Sequence, residues 1–192
     1  MTTKLYEIRW HGRGGQGAVT AAKIMAQAAH LKGYQGVTAA PSFGAERRGV
    51  PVSASTRISS EPIAIVSQVE KPDAVVVLDH TLLKYQEVTS GLVGGGWLVI
   101  NSAQNPKDLD VKGDFNIACA DATKVCWALG LTVGGLPMVN TAMLGAFARA
   151  TRIVDMITIE KAIRERFSNN AIDINLAAIE KTYEITKLER IT

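Results

Sequence analysis

The sequence predicts an α/β domain, Rossmann-like, with a mostly parallel sheet, helices on both faces and a β-hairpin addition. Three observations carry that prediction. A strand-like segment runs straight into a glycine-rich turn and an alanine-rich helix, the opening of a βαβ unit. Short, wholly apolar runs such as Ala74–Leu78 fit strands buried on both faces of a parallel sheet. Strand and helix signals then alternate along the chain, the pattern that lays helices against a sheet. The length of 192 residues fits one domain spanning 1–192, long enough to bury a core without staples. With 47% hydrophobic and 20% charged residues, a disordered or fibrous chain is excluded.

The elements follow in order. Leu5–Trp10 mixes β-branched and aromatic residues with polar ones and reads as a strand. Ala18–Leu31 is a helix, stopped by Lys32 and Gly33. Gly36–Ala40 is a short strand ending at Pro41, and Pro41–Pro51, with its prolines, glycines and charges, is a loop. Val52–Ile58 alternates as a strand with one wetter face; Ile63–Val69 is read as its hairpin partner across Ser59–Pro62. Ala74–Leu78 is a buried strand, followed by a helical stretch around Leu82–Leu92 and another buried strand, Trp97–Ile100. Ile117–Ala120 is a further strand, and Asp121 caps a helix Ala122–Leu129 that stops at Gly130. Asn140–Ala150 is a buried helix. Two amphipathic helices close the chain: Ile159–Phe167 behind Thr158 as cap, and Ile174–Leu188 behind Asp173.

Composition narrows the function classes. A net charge of +3 and 6% aromatics argue against a nucleic-acid protein. Two cysteines, Cys119 and Cys126, can form no disulfide framework and hold no four-thiolate cluster. Apolar runs fall far short of the ~20 residues a membrane helix needs, and the N-terminus carries no signal peptide pattern. A soluble, cytoplasmic chain with no membrane partner is expected.

Gly12-Arg13-Gly14-Gly15-Gln16-Gly17 satisfies G-x-G-x-x-G between strand and helix. Glycines there permit positive φ and close approach, while a helix N-terminus offers free N–H groups to an anion. Arg13 can add a charge-assisted contact. A nicotinamide cofactor also requires an acid about 20 residues on, where this chain reads Gly36-Val37-Thr38-Ala39-Ala40. Three readings therefore stand: an NAD(P) site, a tight structural turn, or a turn facing an anionic group of another ligand or a partner subunit.

Ser42-Phe43-Gly44-Ala45-Glu46-Arg47-Arg48 is the second unusual segment. If Gly36–Ala40 is the second strand, this loop neighbours the glycine turn. Arg47 and Arg48 can then grip phosphates or carboxylates with Glu46 orienting one of them, or else the loop is a solvated charged surface. Of the three histidines only His11 falls near this crevice. No Ser–His–Asp set, H-x-x-x-H or CxxC occurs, so no catalytic residue and no metal ligand is assigned. An anion crevice without catalytic machinery suggests a part of something larger.

Glu7–Ala22, Pro41–Ile58, Pro72–Asp79 and Asn140–Thr151 together resemble the gamma subunit of 2-oxoacid:ferredoxin oxidoreductases, of the pyruvate and branched-chain type, from Tyr6 to about Tyr183. Gly15, Gly17, Glu46 and Arg48 fall on the family's glycine and Glu-x-x-Gly patterns. The resemblance implies a complex that converts a 2-oxoacid, pyruvate first among them, and coenzyme A to acyl-CoA and CO₂, with electrons passing to ferredoxin. It places thiamine diphosphate, Mg and iron–sulfur clusters in alpha, beta and ferredoxin-like delta partners, leaving this chain no cofactor of its own. It also implies that the chain, inactive alone, completes the active-site cleft on the coenzyme A side, in an anaerobic or facultative host. The residues expected to face ligand or partner are Gly12, Arg13, Gly14, Gly15, Gln16, Gly17, Ser42, Phe43, Glu46, Arg47 and Arg48. Two rival readings are a free-standing NAD(P)-dependent oxidoreductase and a purely structural subunit.

Overall fold

The computed structural model describes residues 5–42, 49–64, 67–84, 88–168 and 170–190. The chain runs β1 (Tyr6–Arg13), α1 (Ala18–Leu31), β2 (Gly36–Pro41), β3 (Pro51–Ser59), β4 (Ala74–Val77), β5 (Trp97–Asn101), β6 (Asn116–Ala120) and α2 (Ala122–Leu129). A small hairpin of β7 (Thr132–Val133) and β8 (Leu136–Pro137) follows, then α3 (Val139–Thr151), α4 (Met156–Arg166), α5 (Asn170–Ile185) and β9 (Lys187–Glu189). Seven strands form one sheet in the order β2-β3-β1-β4-β5-β6-β9. β1, β4, β5 and β6 are parallel neighbours, whereas β3 lies antiparallel between β1 and β2, and β9 antiparallel to β6. Five of the seven strands therefore point the same way, with β2 sharing the direction of β1.

Period-two alternation sorts the side chains. Ile8, Trp10, Ala54, Ile58 and Val76 enter a large cluster with all five α-helices; Val75, Val77, Leu98 and Ile100 enter a smaller one on the opposite face. That second face is covered by a 3₁₀ turn, His80–Lys84, and by loops. Helical structure thus covers both faces, but unequally. The alanines of α1 allow close approach, and a buried hydrogen-bond chain fixes it. Trp10 Nε1 donates to Thr56 Oγ1 (3.0 Å), and that hydroxyl donates to the Ala22 carbonyl (2.9 Å). Trp10 also meets Phe147 of α3, ring centroids 5.8 Å apart.

Four expectations need correction. Ile63–Val69 is not the hairpin partner of β3, because β1 and β2 already occupy both its edges; the hairpin is β2–β3. Leu82–Leu92 is no α-helix among its described residues. It holds the 3₁₀ turn and then a turn through Gly91, whose φ of 74° and 2.0 Å clearance to the Glu70 carbonyl admit only glycine. The cap of α4 is Asp155, which accepts from Thr158 N (2.9 Å); Thr158 itself sits inside the helix. Finally, α5 runs from Asn170 to Ile185: Asp173 lies inside its first turn and does not cap it, and the expected last turn is β9, which pairs with β6. Asp121 caps α2 as expected, accepting from Lys124 N (2.9 Å).

Candidate anion-binding cleft at the glycine turn

β1 ends in the glycine turn, and the turn is locked from within. Arg13 N donates to Gln16 Oε1 (2.7 Å), and Gln16 N donates back to the Arg13 carbonyl (2.9 Å). Gly15 and Gly17 have φ of 93° and 79°, in the left-handed region. Gly17 is the N-cap of α1, which has neither a side-chain cap nor an acid in its first turn. A Cβ on Gly17 would lie 2.3 Å from Asn140 Nδ2, so only glycine lets α1 begin here.

Asn140 belongs to the first turn of α3, which also lacks a side-chain cap and an acid. Both helix starts therefore open on one cleft, about 930 Å³, lined by Gly15, Gly17, Thr20, Asn140, Thr141 and Arg166 among others. Asn140 is only 3% exposed, and its Oδ1 has no hydrogen-bond partner among the described residues. Below it, Thr141 Oγ1 donates to Asn175 Oδ1 (2.5 Å), which ties α3 to α5. Unpaired first-turn N–H groups, two positive dipole ends and Arg166 make the cleft receptive to an oxyanion.

Arg13 does not face this cleft as an unengaged cation. Its Nε donates to Asp79 Oδ2 (2.7 Å), Nη2 to Thr81 Oγ1 (2.9 Å) and Nη1 to the Gly49 carbonyl (3.2 Å). Burial pushes the Asp79 carboxyl up, but hydrogen bonds from Thr81 and Arg13 outweigh it and hold the group below the usual carboxylate range. This ion pair sits between the carboxyl ends of β1 and β4, where the strand order reverses and open α/β sheets receive ligands. The crevice a dinucleotide would use is filled by protein.

The loop after β2 meets the turn on one side only. Gly49 N donates to the Gly14 carbonyl (3.0 Å) and Gly14 N to the Val50 carbonyl (2.8 Å), whereas Ser42 lines a separate cleft on the opposite sheet face. Phe43, Glu46, Arg47 and Arg48 lie outside the described residues. His11 also points to that opposite face, 9% exposed; burial and then the Arg9 charge push its pKa down to about 4. His30 ends α1 exposed to solvent. Reading the sequence for glycines and charge passed over Asn140 and Arg166. The visible signal for Asn140 was a polar Asn-Thr pair opening an apolar helix behind Met138, which cannot cap it.

The model of the family described as pyruvate ferredoxin/flavodoxin oxidoreductase matches residues 7–185. The chain belongs to that family. A relative from Pyrococcus furiosus, the pyruvate/ketoisovalerate oxidoreductases common subunit gamma, is 45% identical over 187 residues, 96% of this chain and 98% of that one. The pyruvate synthase subunit PorC of Methanocaldococcus jannaschii is 46% identical over 179 residues, covering 93% and 96%. The solved structure of the pyruvate oxidoreductase subunit PORC of Thermotoga maritima superposes with a TM-score of 0.83 at 38% identity, over 98% and 100%. Within the pyruvate ferredoxin/flavodoxin oxidoreductase family the chain is thus of gamma type, a subunit of a multisubunit oxidoreductase.

Its described residues do not fit an iron–sulfur cluster or a metal. No group of three His, Cys, Asp or Glu is placed to hold an ion. Cys119 and Cys126 are buried, and burial pushes both thiols up to about 12, with Lys187 opposing it weakly at Cys119. Among the described residues no helix is long and apolar enough to cross a membrane.

Proposed function

We propose that this chain forms the coenzyme A side of the active-site cleft in a pyruvate:ferredoxin oxidoreductase complex. The complex oxidatively decarboxylates the 2-oxoacid, transfers the acyl group to coenzyme A and passes two electrons to ferredoxin. Thiamine diphosphate with its Mg and the iron–sulfur clusters belong to alpha, beta and ferredoxin-like delta partners, in the cytoplasm. The role of this chain is electrostatic: the glycine turn and the start of α3 hold a phosphate of coenzyme A while the neighbours do the chemistry. The observation that carries this reading is the convergence of two helix N-termini, neither with a side-chain cap, on one cleft where Gly17 meets Asn140. Arg47 and Arg48, on the loop that rejoins the glycine turn at Gly49, add charge to the same ligand.

The test is kinetic, in the reconstituted complex. Asn140→Asp puts a carboxylate where a phosphate should approach, and Arg47→Ala and Arg48→Ala remove cations. Each should raise KM for coenzyme A about ten- to hundredfold and leave KM for the 2-oxoacid alone, as expected for a lost or reversed charge-assisted contact of roughly 1.5–3 kcal/mol. An unmoved KM for coenzyme A in an intact complex overturns the reading and leaves a purely structural subunit. A free-standing NAD(P) enzyme is disfavoured by the missing acid after β2 and by the Arg13–Asp79 pair in the crevice. Micromolar binding of NADH by the isolated chain would restore it.

A further inference from the structure

The other face of the sheet carries a second polar cleft, on the side away from the α-helices. It encloses about 560 Å³ and is built on three adjacent strands. Register sets the side chains in rows. Ala40, Ser55 and Arg9 face one another across β2, β3 and β1; the row on one side is Thr38, Arg57 and Glu7, and on the other Ser53 lies opposite His11. Half-buried Thr38, Ser53 and Ser55 make no side-chain hydrogen bond among the described residues. A sheet face of this kind is ordinarily apolar and covered, or polar and open to water. This one holds a buried arginine, Arg57, and a half-buried one, Arg9.

Their charges do not balance. Arg57 is 4% exposed, and its Nε donates to Glu7 Oε1 (2.7 Å) while Nη2 donates to the Ser67 carbonyl (2.7 Å). Glu7 therefore answers Arg57. Arg9 has no carboxylate within ion-pair distance among the described residues: its Nε donates to His11 Nε2 (2.9 Å) and its Nη2 to the Val88 and Ser90 carbonyls (2.9 and 2.5 Å). A histidine that accepts from a guanidinium is neutral, so it adds no compensating charge. Among the described residues, two cations against one anion leave the cleft wall with one positive charge. Nη1 of each arginine makes no hydrogen bond among the described residues. The two lie diagonally across Ser55 and line the same cleft.

We propose that this cleft is a binding site for a small oxyanion, a phosphate or carboxylate group, held between Arg9 and Arg57 and received by the hydroxyls of Ser53, Ser55 and Thr38. A planar guanidinium matches either oxyanion, and a serine hydroxyl donates to both. The ligand's charge neutralises a cation that no described carboxylate answers in partial burial. The site is independent of the coenzyme A reading, which concerns the opposite face.

The test is a titration of the full chain, with arginine side-chain and asparagine amide nitrogens labelled for NMR, at ionic strength held constant with chloride. Inorganic phosphate and malonate are the two probes. The Arg9 and Arg57 Nε–H resonances should shift saturably with at least one of them in the millimolar range or tighter, whatever the Asn140 amide on the opposite face does. Saturation by phosphate alone, by malonate alone or by both names the ligand's class and supports the site in each case. Arg9→Gln should abolish the saturable shift, and Ser55→Ala, which leaves the backbone ladder and both arginines in place, should weaken it at least about fivefold. Absence of any saturable shift, a shift confined to Asn140, or saturation undiminished in Ser55→Ala overturns the proposal.

Discussion

Arg13 and Asp79 close the space between the ends of β1 and β4 with a 2.7 Å ion pair, side chains 30% and 17% exposed. Thr81 completes the arrangement from both sides, donating its N–H and hydroxyl to Asp79 Oδ1 (3.0 and 2.6 Å) and accepting from Arg13. The glycine turn thus owes its position as much to this pair as to its glycines. The pair also fills the usual crevice, and the open cleft lies on the helix side, where Gly17 meets Asn140.

Asp79→Asn should therefore destabilise the fold at neutral pH by about 1–3 kcal/mol, the range for a hydrogen bond to a charged group in partial burial. The folded carboxyl titrates below its ordinary value of 3.8, so this stability is fully present above that value and is lost as pH falls through the folded one. Urea unfolding of wild type and Asp79→Asn should give curves that differ at pH 7 and converge in strong acid. A gap that stays constant into acid would show that the carboxylate's charge is not what holds the turn.

The sequence made the glycine turn, α1 and the all-apolar β4 legible because each depends on local rules: positive φ, helix periodicity and double-sided burial. Capping was half legible: Asp121 stood alone before its helix, but Thr158 competed with Asp155, and the earlier residue won by reaching the Thr158 N–H. What stayed hidden was non-local. Which strand pairs with β3 depends on which edges are already taken. That Asn140 lies against Gly17 depends on how α3 crosses α1, and no spacing along the chain encodes that. Nor does the Arg13–Asp79 contact, 66 residues apart, leave a local trace.

Gly17→Ala should cost about 1–3 kcal/mol for backbone strain alone, with the collision against Asn140 adding to it. The two contributions separate in a double-mutant cycle. Asn140→Gly removes the obstacle but not the φ of 79°, so it should recover part of the loss measured by denaturant unfolding. Full additivity of the two substitutions would mean that α3 shifts to avoid the contact at no cost.

His11 makes stability fall with pH in a higher window than Asp79. Its folded pKa of about 4 lies below the ordinary 6.5, because the imidazole is buried and sits beside Arg9. Above 6.5 both states are neutral and its contribution is fully present. Between 6.5 and about 4 the unfolded chain takes up the proton and the folded chain does not, so stability falls as pH falls, by roughly 3 kcal/mol at most. His11→Gln keeps an acceptor for Arg9 Nε and removes the titration. Wild type should lose stability relative to this variant as pH goes from 7 to 4; parallel curves would place the imidazole in water.

The approach of α3 to α5 sets where the Asn140 end of α3 points. Gly145 lies at that crossing: an added Cβ would come 2.1 Å from the Ile179 carbonyl and 2.9 Å from the Tyr183 nitrogen, both backbone and unable to rotate away. Gly145→Ala must therefore drive the helices apart, at about 1–3 kcal/mol for overpacking a core contact. Thr141 Oγ1–Asn175 Oδ1, on the same pair of helices, would lengthen with it. The same variant should weaken phosphate-dependent shifts at the Asn140 amide, although residue 145 lines neither cleft. A loss of stability without any change at Asn140 would show that α3 hinges between the crossing and its first turn, and that packing on α5 does not position the Asn140 end.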